Sequence, residues 1–297
     1  GEPMCRWRDI ARLAERHNDC LFGLYTNGTL INQQVCDDVK RVGNVLFSVS
    51  LEGSEEANDG RRGDGCFDKV MAAFDLMREN GVAFGTSTAY TRANVESVTS
   101  DEYYELLEQK GALWAWYFHY MPVGEGANAD LMPTPEQREY MIKRIREIRD
   151  FEGGHSVMAM DFQNDGEYVG GCIAGGRVFC HITARGDVEP CVFIHYSNVN
   201  IKTADSWLDC LKQPLFQAYR AHYPWNKNML QPCPMLENPA ILPRLVNESG
   251  ATTSEYVAPE SAEDLCGRTS PYARKWAPKA KELWNEMYPT GEKVYAD

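Results

Sequence analysis

The sequence predicts an α/β fold, a parallel sheet with helices outside it, followed by a smaller domain. Three features predict it. Between residues 4 and 162, apolar segments of strand length alternate with amphipathic segments of helical period. The turns after the strands, TNGT at 26–29, SLEG at 50–53, STAYTRAN at 87–94 and YMPVG at 120–124, are rich in glycine and polar groups. After residue 165 the composition shifts to glycine, cysteine and short β segments.

The first element, MCRWRDIARLAERHND, is a helix with Ile10, Leu13 and Ala14 on one face, and CLFGLYTNG is the buried strand that follows. NQQVCDDVKRVG and NVLFSVSLEG repeat the helix and strand. GCFDKVMAAFDLMRENG spaces Phe67, Val70, Met71, Phe74 and Met77 as a helix stopped at Gly81, and VAFGTSTAYT is the next strand. SDEYYELLEQKGA is a helix begun by Ser100 and Asp101. LWAWYFHYMPVG is a strand carrying Trp114, Trp116, Tyr117, Phe118, His119 and Tyr120, half of which alternation turns to its inner face. TPEQREYMIKRIREIRD opens with Thr134 as N-cap, Pro135 at the first helical position and Gln137 closing a capping box, then presents Met141, Ile142, Ile145 and Ile148 as its inner stripe. SVMAMDF is the last strand of the run. Repeated βα units form a sheet that is either doubly wound or curved toward a barrel, and in both the active residues gather where strands end. The expected divisions are 1–165, 166–240 and a tail, 241–297, in which PYARKWAPKAKELWNEMYP reads as a surface helix docking over the barrel.

A chain of 297 residues is long enough for one or two domains with a packed core. No apolar run reaches the length of a membrane span, so a soluble protein is expected. A formal charge of −13 argues against nucleic acid as a partner, because phosphate neutralisation needs a basic surface. The opening GEPMCRW has none of the parts of a secretory signal, and ten dispersed cysteines read as thiols of a reducing cytoplasm. The chain contains no GxGxxG, phosphate loop, nucleophile elbow or HExxH, which removes support for nucleotide binding through a phosphate loop and for common hydrolases.

GGCIAGGRVFCHITARGDVEPCVF, residues 170–193, gathers three of the thiols. Cys172, Cys180 and Cys191 are followed by Cys233 in QPCPMLENP, with 7, 10 and 41 residues between successive members. Structural zinc is usually gripped by two close pairs, and none is present; thiolates from scattered loops serve an iron-sulfur cluster instead. Residues 177–184 and 188–194 predict a hairpin joined at Arg185, Gly186 and Asp187, in whose first strand Cys180 shares a face with Val178 and Ile182. Cys180 is therefore either a ligand or a core residue, with Cys210 in the helical SWLDCLKQPLF as the reserve ligand. Cys5, Cys20, Cys36, Cys66 and Cys266 sit singly on helix or strand patterns and read as small hydrophobes.

GEP at the start, YTNGTLI, SVSLEG and DGRRGDGCFDKVMAAFDLMRENGV stand in the order and spacing of radical S-adenosylmethionine enzymes, which residues 1 to about 240 resemble. Cys172, thirteen residues, Gly186, four residues and Cys191 are similar to the opening of that family's SPASM or shorter Twitch domain. The resemblance implies a partial (β/α)6 TIM-like barrel lacking its first βα unit, with a small hairpin-containing SPASM/Twitch domain at 166–240. It implies an enzyme that reductively cleaves S-adenosylmethionine to a 5'-deoxyadenosyl radical, which abstracts hydrogen from a peptide or small-molecule substrate. The implied cofactors are S-adenosylmethionine, a catalytic 4Fe-4S cluster, and an auxiliary 4Fe-4S cluster on Cys172, Cys180, Cys191 and Cys233. The implied partner is an electron donor such as flavodoxin or ferredoxin. The defining CxxxCxxC occurs nowhere in these residues, and since GEP ends the second strand in the family, the expectation is a chain truncated ahead of Gly1. By the same resemblance, Gly1, Glu2 and Pro3 meet the amino group of the cofactor's methionine and Asn27 supports that strand end. Ser50 and Glu52 face the ribose hydroxyls, and Arg61 or Arg62 pairs with the cofactor carboxylate. The rival reading is a non-enzymatic iron-sulfur or zinc-binding α/β protein.

Overall fold

The computed structural model describes residues 1–150 and 152–289, so the last part of the expected 241–297 tail lies outside the described residues. Two compact units divide the chain: Gly1–Tyr120 with Glu136–Phe162, and Met121–Pro135 with the residues from Gln163 onward.

The first unit begins with a 3-10 turn, Pro3–Arg6, and then alternates helices and strands. They are α1 (Trp7–Arg16), β1 (Phe22–Thr26), α2 (Gln33–Val42), β2 (Val45–Ser50), α3 (Glu55–Arg62), α4 (Cys66–Glu79), β3 (Phe84–Tyr90), α5 (Asp101–Lys110), β4 (Trp114–His119), α6 (Pro135–Ile148) and β5 (Met158–Asp161). All five strands are parallel, in the order β1-β2-β3-β4-β5, with Phe22 opposite Val45, Phe47 opposite Phe84, Thr86 opposite Ala115 and Trp114 opposite Met158. The order never reverses, so the sheet has no switch point of the doubly wound kind. Crossovers of one hand then bring every helix back to the same face. The core agrees: Phe47, Val49, Phe84, Ala115, Tyr117 and Ala159 from the strands share one apolar cluster with residues of α1, α2, α4, α5 and α6. Phe74 and Phe84 meet there with ring centroids 4.7 Å apart. Each fully buried side chain of this size stabilises the fold by about 1.5–3 kcal/mol relative to exposure.

The helix ends follow their capping residues. Asn32, Ser54 and Ser100 accept from the backbone N–H of Val35, Ala57 and Tyr103, and Gly43 and Gly111 close α2 and α5 in the left-handed conformation. The sequence pattern missed α3. Its residues EEANDGRR carry no apolar stripe, and its one buried member is Asn58.

The second unit contains α7 (Gly166–Val169), β6 (His181–Ile182), β7 (Val188–Glu189), β8 (Tyr196–Ser197), α8 (Trp207–Cys210), α9 (Pro214–His222), α10 (Ile241–Ser249), β9 (Thr252–Thr253) and α11 (Ala262–Met287). The expected hairpin at 177–184 and 188–194 contracts to two antiparallel pairs, His181 with Glu189 and Ile182 with Val188. Val178, expected to share a face with Cys180, lies outside the paired strand and is exposed, because the N–H groups of Val178 and Phe179 both turn back to the Ile173 carbonyl. The helix expected in the tail is α11, which begins earlier than its prolines suggest. α11 runs 26 residues through Pro271 and Pro278 and buries Leu265, Thr269, Tyr272, Trp276, Ala280 and Leu283 at helical spacing. Burial of that stripe outweighs two interior prolines, each costing about 3 kcal/mol.

Candidate cofactor and cluster sites

Because the strands are parallel, their C-terminal ends lie along one edge of the sheet, and most of the residues expected at the cofactor stand there. Glu2 is extended and its carboxylate is fixed on three sides. Oε1 accepts from Thr26 Oγ1 at 2.6 Å and from the Met4 N–H at 3.0 Å, while Oε2 accepts from the Asn27 N–H at 2.8 Å. This ties the Gly1–Pro3 segment to the end of β1. Pro3 itself begins the 3-10 turn, and the Asn27 side chain folds back to accept from Thr29 N–H and Oγ1.

Glu52, two residues beyond β2, is fully buried. Its Oε1 accepts from Arg62 Nε at 3.1 Å and from Arg62 Nη2; its Oε2 accepts from the Ala89 N–H at 3.1 Å and stands 3.6 Å from Arg61 Nη1. Helix α3 exists to make this possible, since it delivers both arginines from its last turn. Two buried amides that sequence reasoning did not single out complete the turn. Asn58 Oδ1 accepts from the Glu52 N–H at 3.3 Å, and Asn94 Nδ2 donates to the Glu52 carbonyl at 3.3 Å. The structure thus brings Glu52, Arg61 and Arg62 together, with Ser50 at the end of β2 just before them.

The opposite face of the sheet from the helices is aromatic. Ala115, Tyr117 and His119 are buried, whereas Trp116 and Phe118 turn to the other face and meet Tyr25 and Phe162, with Phe118 and Phe162 centroids 5.3 Å apart. His119 ends β4. Burial, with Arg138 beside it, pushes its imidazole down to about 3, so the ring is neutral and Nδ1 donates to the Tyr120 carbonyl at 2.8 Å. An unfolded histidine titrates near 6.5, so between these values the unfolded chain binds a proton that the folded one refuses. Stability therefore falls as pH drops through 6.5, by roughly 2 kcal/mol at pH 5 from this residue alone. Urea unfolding at pH 7 and pH 5 should show that loss in the wild type and a smaller one in His119→Asn; equal losses in both would place the proton elsewhere.

In the second unit, three cysteine-bearing arms meet around α9. The arm of Cys172 lies against the helix so closely that a Cβ on Gly175 would come within 2.5 Å of the Tyr219 ring and one on Gly176 within 2.7 Å of Phe216. Both glycines have positive φ, which suits residues without a Cβ. Arg177 holds the start of the arm, donating from Nε to the Cys172 carbonyl at 2.9 Å and from Nη2 to that of Val169 at 2.7 Å. The arm of Cys191 is tied to the first by the Gly175 N–H, which donates to the Pro190 carbonyl at 3.1 Å. The arm of Cys233 is held by Trp225, whose Nε1 donates to the Pro232 carbonyl at 2.6 Å and whose ring meets Tyr219 edge-on at 5.3 Å. Helix α11 supports this last arm: Trp276 Nε1 donates to Leu230 O at 2.9 Å and Thr269 Oγ1 to Met235 O at 2.8 Å.

Burial pushes the Cys172 thiol up to about 11, that of Cys191 up to about 12, and that of Cys233 well above its ordinary value. In each case backbone N–H groups aimed at the sulfur oppose the shift: Ala174 at Cys172, Phe193 and Val192 at Cys191, Leu236 and Met235 at Cys233. Leu236 N stands 3.4 Å from Cys233 Sγ. Donors gathered around a sulfur favour its thiolate, the form that binds metal. Cys172 is an electrostatic neighbour of both Cys191 and Cys233. Cys180 is placed otherwise. It packs with Val188, Cys210 and Phe216 in a small apolar cluster, and the thiol it senses is that of Cys210.

Among the described residues, no three His, Cys, Asp or Glu side chains converge tightly enough to hold a single metal ion. Thiolates on one zinc stand on the order of 4 Å apart, each 2.3 Å from the metal. The ligands of a cubane cluster sit on different irons and are more widely spaced. One further atom fits the larger group: the Tyr219 hydroxyl is buried and has no hydrogen-bond partner among the described residues, with Cys172, Cys233, Cys191 and Cys266 as its electrostatic neighbours. The donor chemistry of this pocket suits a thiolate-bound cluster.

No family model matches the chain. It is 26% identical over 227 residues to an AdoMet-dependent heme synthase of Methanosarcina barkeri, an overlap covering 68% of this chain and 64% of that protein. It is 31% identical over 210 residues to the mycofactocin maturase MftC of Mycolicibacterium smegmatis, covering 65% of this chain and 50% of the relative. The chain thus spans between half and two thirds of the length of these two curated relatives. In fold it is similar to the solved structure of anSMEcpe with bound AdoMet and Kp18Cys peptide, with a TM-score of 0.57, 18% identity and coverage of 96% of this chain and 84% of the other. The five-strand parallel sheet and the sequence relatives agree on one likeness: the chain is similar to radical S-adenosylmethionine enzymes.

Proposed function

We propose that this chain carries the S-adenosylmethionine site and the auxiliary-cluster domain of a radical S-adenosylmethionine enzyme acting on a peptide or small molecule. The observation that carries the reading is the convergence of three N–H-lined cysteines, the buried Cys191 and the half-buried Cys172 and Cys233, around one helix. These three would hold the auxiliary 4Fe-4S cluster, while Cys180 and Cys210 stay in their apolar cluster. When bound, the family's cofactors supply one electron and the adenosyl radical that takes a substrate hydrogen.

The chain's own residues bind and orient. The Gly1–Pro3 segment, pinned through Glu2 to the end of β1, offers its backbone to the cofactor's amino group. Glu52 has its oxygens taken by two guanidiniums and a backbone N–H, so its part is to hold Arg61 and Arg62 for the cofactor carboxylate. Ser50 remains for the ribose. Tyr25, Trp116, Phe118 and Phe162 give the open face of the sheet an apolar lining that keeps water from a reactive carbon centre. A curved, barrel-like sheet would enclose that face. The heme synthases, the mycofactocin maturase and a peptide-bound structural neighbour support both substrate classes. A flavodoxin or ferredoxin would supply the electron, and a cytoplasmic setting would keep the cluster reduced and intact.

No CxxxCxxC occurs in these residues, so the two halves of the reading are tested separately. This chain, reconstituted anaerobically with iron and sulfide, is expected to hold the iron of one 4Fe-4S cluster. A version carrying a CxxxCxxC segment ahead of Gly1 is expected to hold a second and, with dithionite, to release 5'-deoxyadenosine from S-adenosylmethionine. Equal iron in both versions, or no 5'-deoxyadenosine from the second, would overturn it.

A further inference from the structure

We propose that the Tyr219 hydroxyl donates a hydrogen bond to the auxiliary cluster, either to an inorganic sulfide or to a ligating thiolate, and so raises the cluster's reduction potential. The inference rests on the cluster reading above and adds a residue that no thiol pattern points to.

Tyr219 is 1% exposed, and its hydroxyl lacks a partner among the described residues although nearly every buried hydroxyl in a folded protein has one. Its ring is not free to turn toward another partner. Gly175 lies flat against one side, close enough that a Cβ would meet Tyr219 Cβ at 2.7 Å, and Trp225 abuts the ring edge-on at 5.3 Å. Those two contacts are also the links to the ligands. Gly175 is three residues past Cys172 and bonds to Pro190, the neighbour of Cys191; Trp225 bonds to Pro232, the neighbour of Cys233. The phenol is thus held by the same atoms that place the three thiols.

A phenol offers one O–H donor. In a pocket already furnished with backbone donors, a further acceptor is what the hydroxyl lacks, and cluster sulfurs are acceptors. Donation to them stabilises the reduced, more negative state, and hydrogen bonds to sulfur are among the levers that set cluster potentials. Tyr219 touches no substrate in this scheme and is a positioning and tuning residue.

The test compares the full 297-residue wild type with Tyr219→Phe, both reconstituted anaerobically with iron and sulfide. Equal iron and sulfide contents are expected, with a more negative midpoint potential in the variant. The iron-sulfur stretching bands of the wild type should shift in D2O, and the variant should lose that shift. Unchanged potential at equal iron content overturns the inference, as does loss of the cluster in Tyr219→Phe, which would make the residue a ligand or a prop. If the variant fails to fold, the D2O experiment on the wild type decides, and bands insensitive to deuterium count against donation. A wild type that binds no cluster defeats the cluster reading itself, before any variant is compared.

Discussion

Alanine at Cys172, Cys191 or Cys233 is expected to strip this chain of its iron, several-fold toward background, whereas Cys180→Ala and Cys210→Ala are expected to keep it. The contrast follows from where the thiols lie. The first three sit on loops that bend around α9, each with backbone N–H groups aimed at its sulfur; Cys180 and Cys210 face each other among Val188 and Phe216. Removing a thiolate ligand removes binding free energy that couples to loop order, so the remaining two hold iron poorly. Removing a core thiol removes a small hydrophobe, a loss of about 1 kcal/mol that the fold tolerates. Iron and acid-labile sulfide per chain, with far-ultraviolet circular dichroism to confirm folding, separate the two groups. Should Cys180→Ala lose iron as completely as Cys172→Ala, the three-thiol assignment would be wrong.

The same contrast shows what the sequence could and could not reveal. The five strands were legible because each is a short apolar run between breakers, and the helices α1, α2, α4, α5 and α6 because apolar residues recur at helical spacing. Helix α3 was not, since what it buries is Asn58 and what it offers is a pair of arginines at its end. Its signals are a serine cap, two acidic residues in the first turn and basic ones in the last, all of which also read as a polar loop. Helix α11 was legible only in part: PYARKWAPKAKELWNEMYP reads as a helix from Pro271, and the buried stripe from Leu265 to Leu283 carries it back to Ala262. In the cluster region the strands are two residues long, too short for alternation to decide which way Cys180 faces. Tyr219 carries no motif that would single it out in the sequence. Only the positions of Gly175, Trp225 and the thiols reveal that its hydroxyl has somewhere to point.

Glu52→Ala is expected to destabilise the first unit by about 3–5 kcal/mol, a large part of what holds a domain together. The carboxylate is fully buried and accepts from Arg62 Nε and Nη2 and from the Ala89 N–H, with Arg61 Nη1 at 3.6 Å. Deleting it leaves the half-buried Arg62 guanidinium without its partner and the Ala89 N–H unpaired; breaking one side of a buried pair costs more than never having built it. Glu52→Gln keeps the shape and one acceptor but loses the charge, so its loss should fall between the two. Replacing the partner as well gives the sharper test. The double variant Glu52→Leu/Arg62→Met removes both charges at once and should recover part of the stability lost in Glu52→Leu alone, because no unpaired charge remains buried. Urea unfolding of the single and double variants measures the coupling directly. In the reading proposed above, the double variant regains stability yet still binds S-adenosylmethionine weakly, since one of the two cations meant for the cofactor's carboxylate has gone and Arg61 has lost the carboxylate that holds it. Equal stability losses in the single and double variants would mean that Glu52 and Arg62 do not act as a pair.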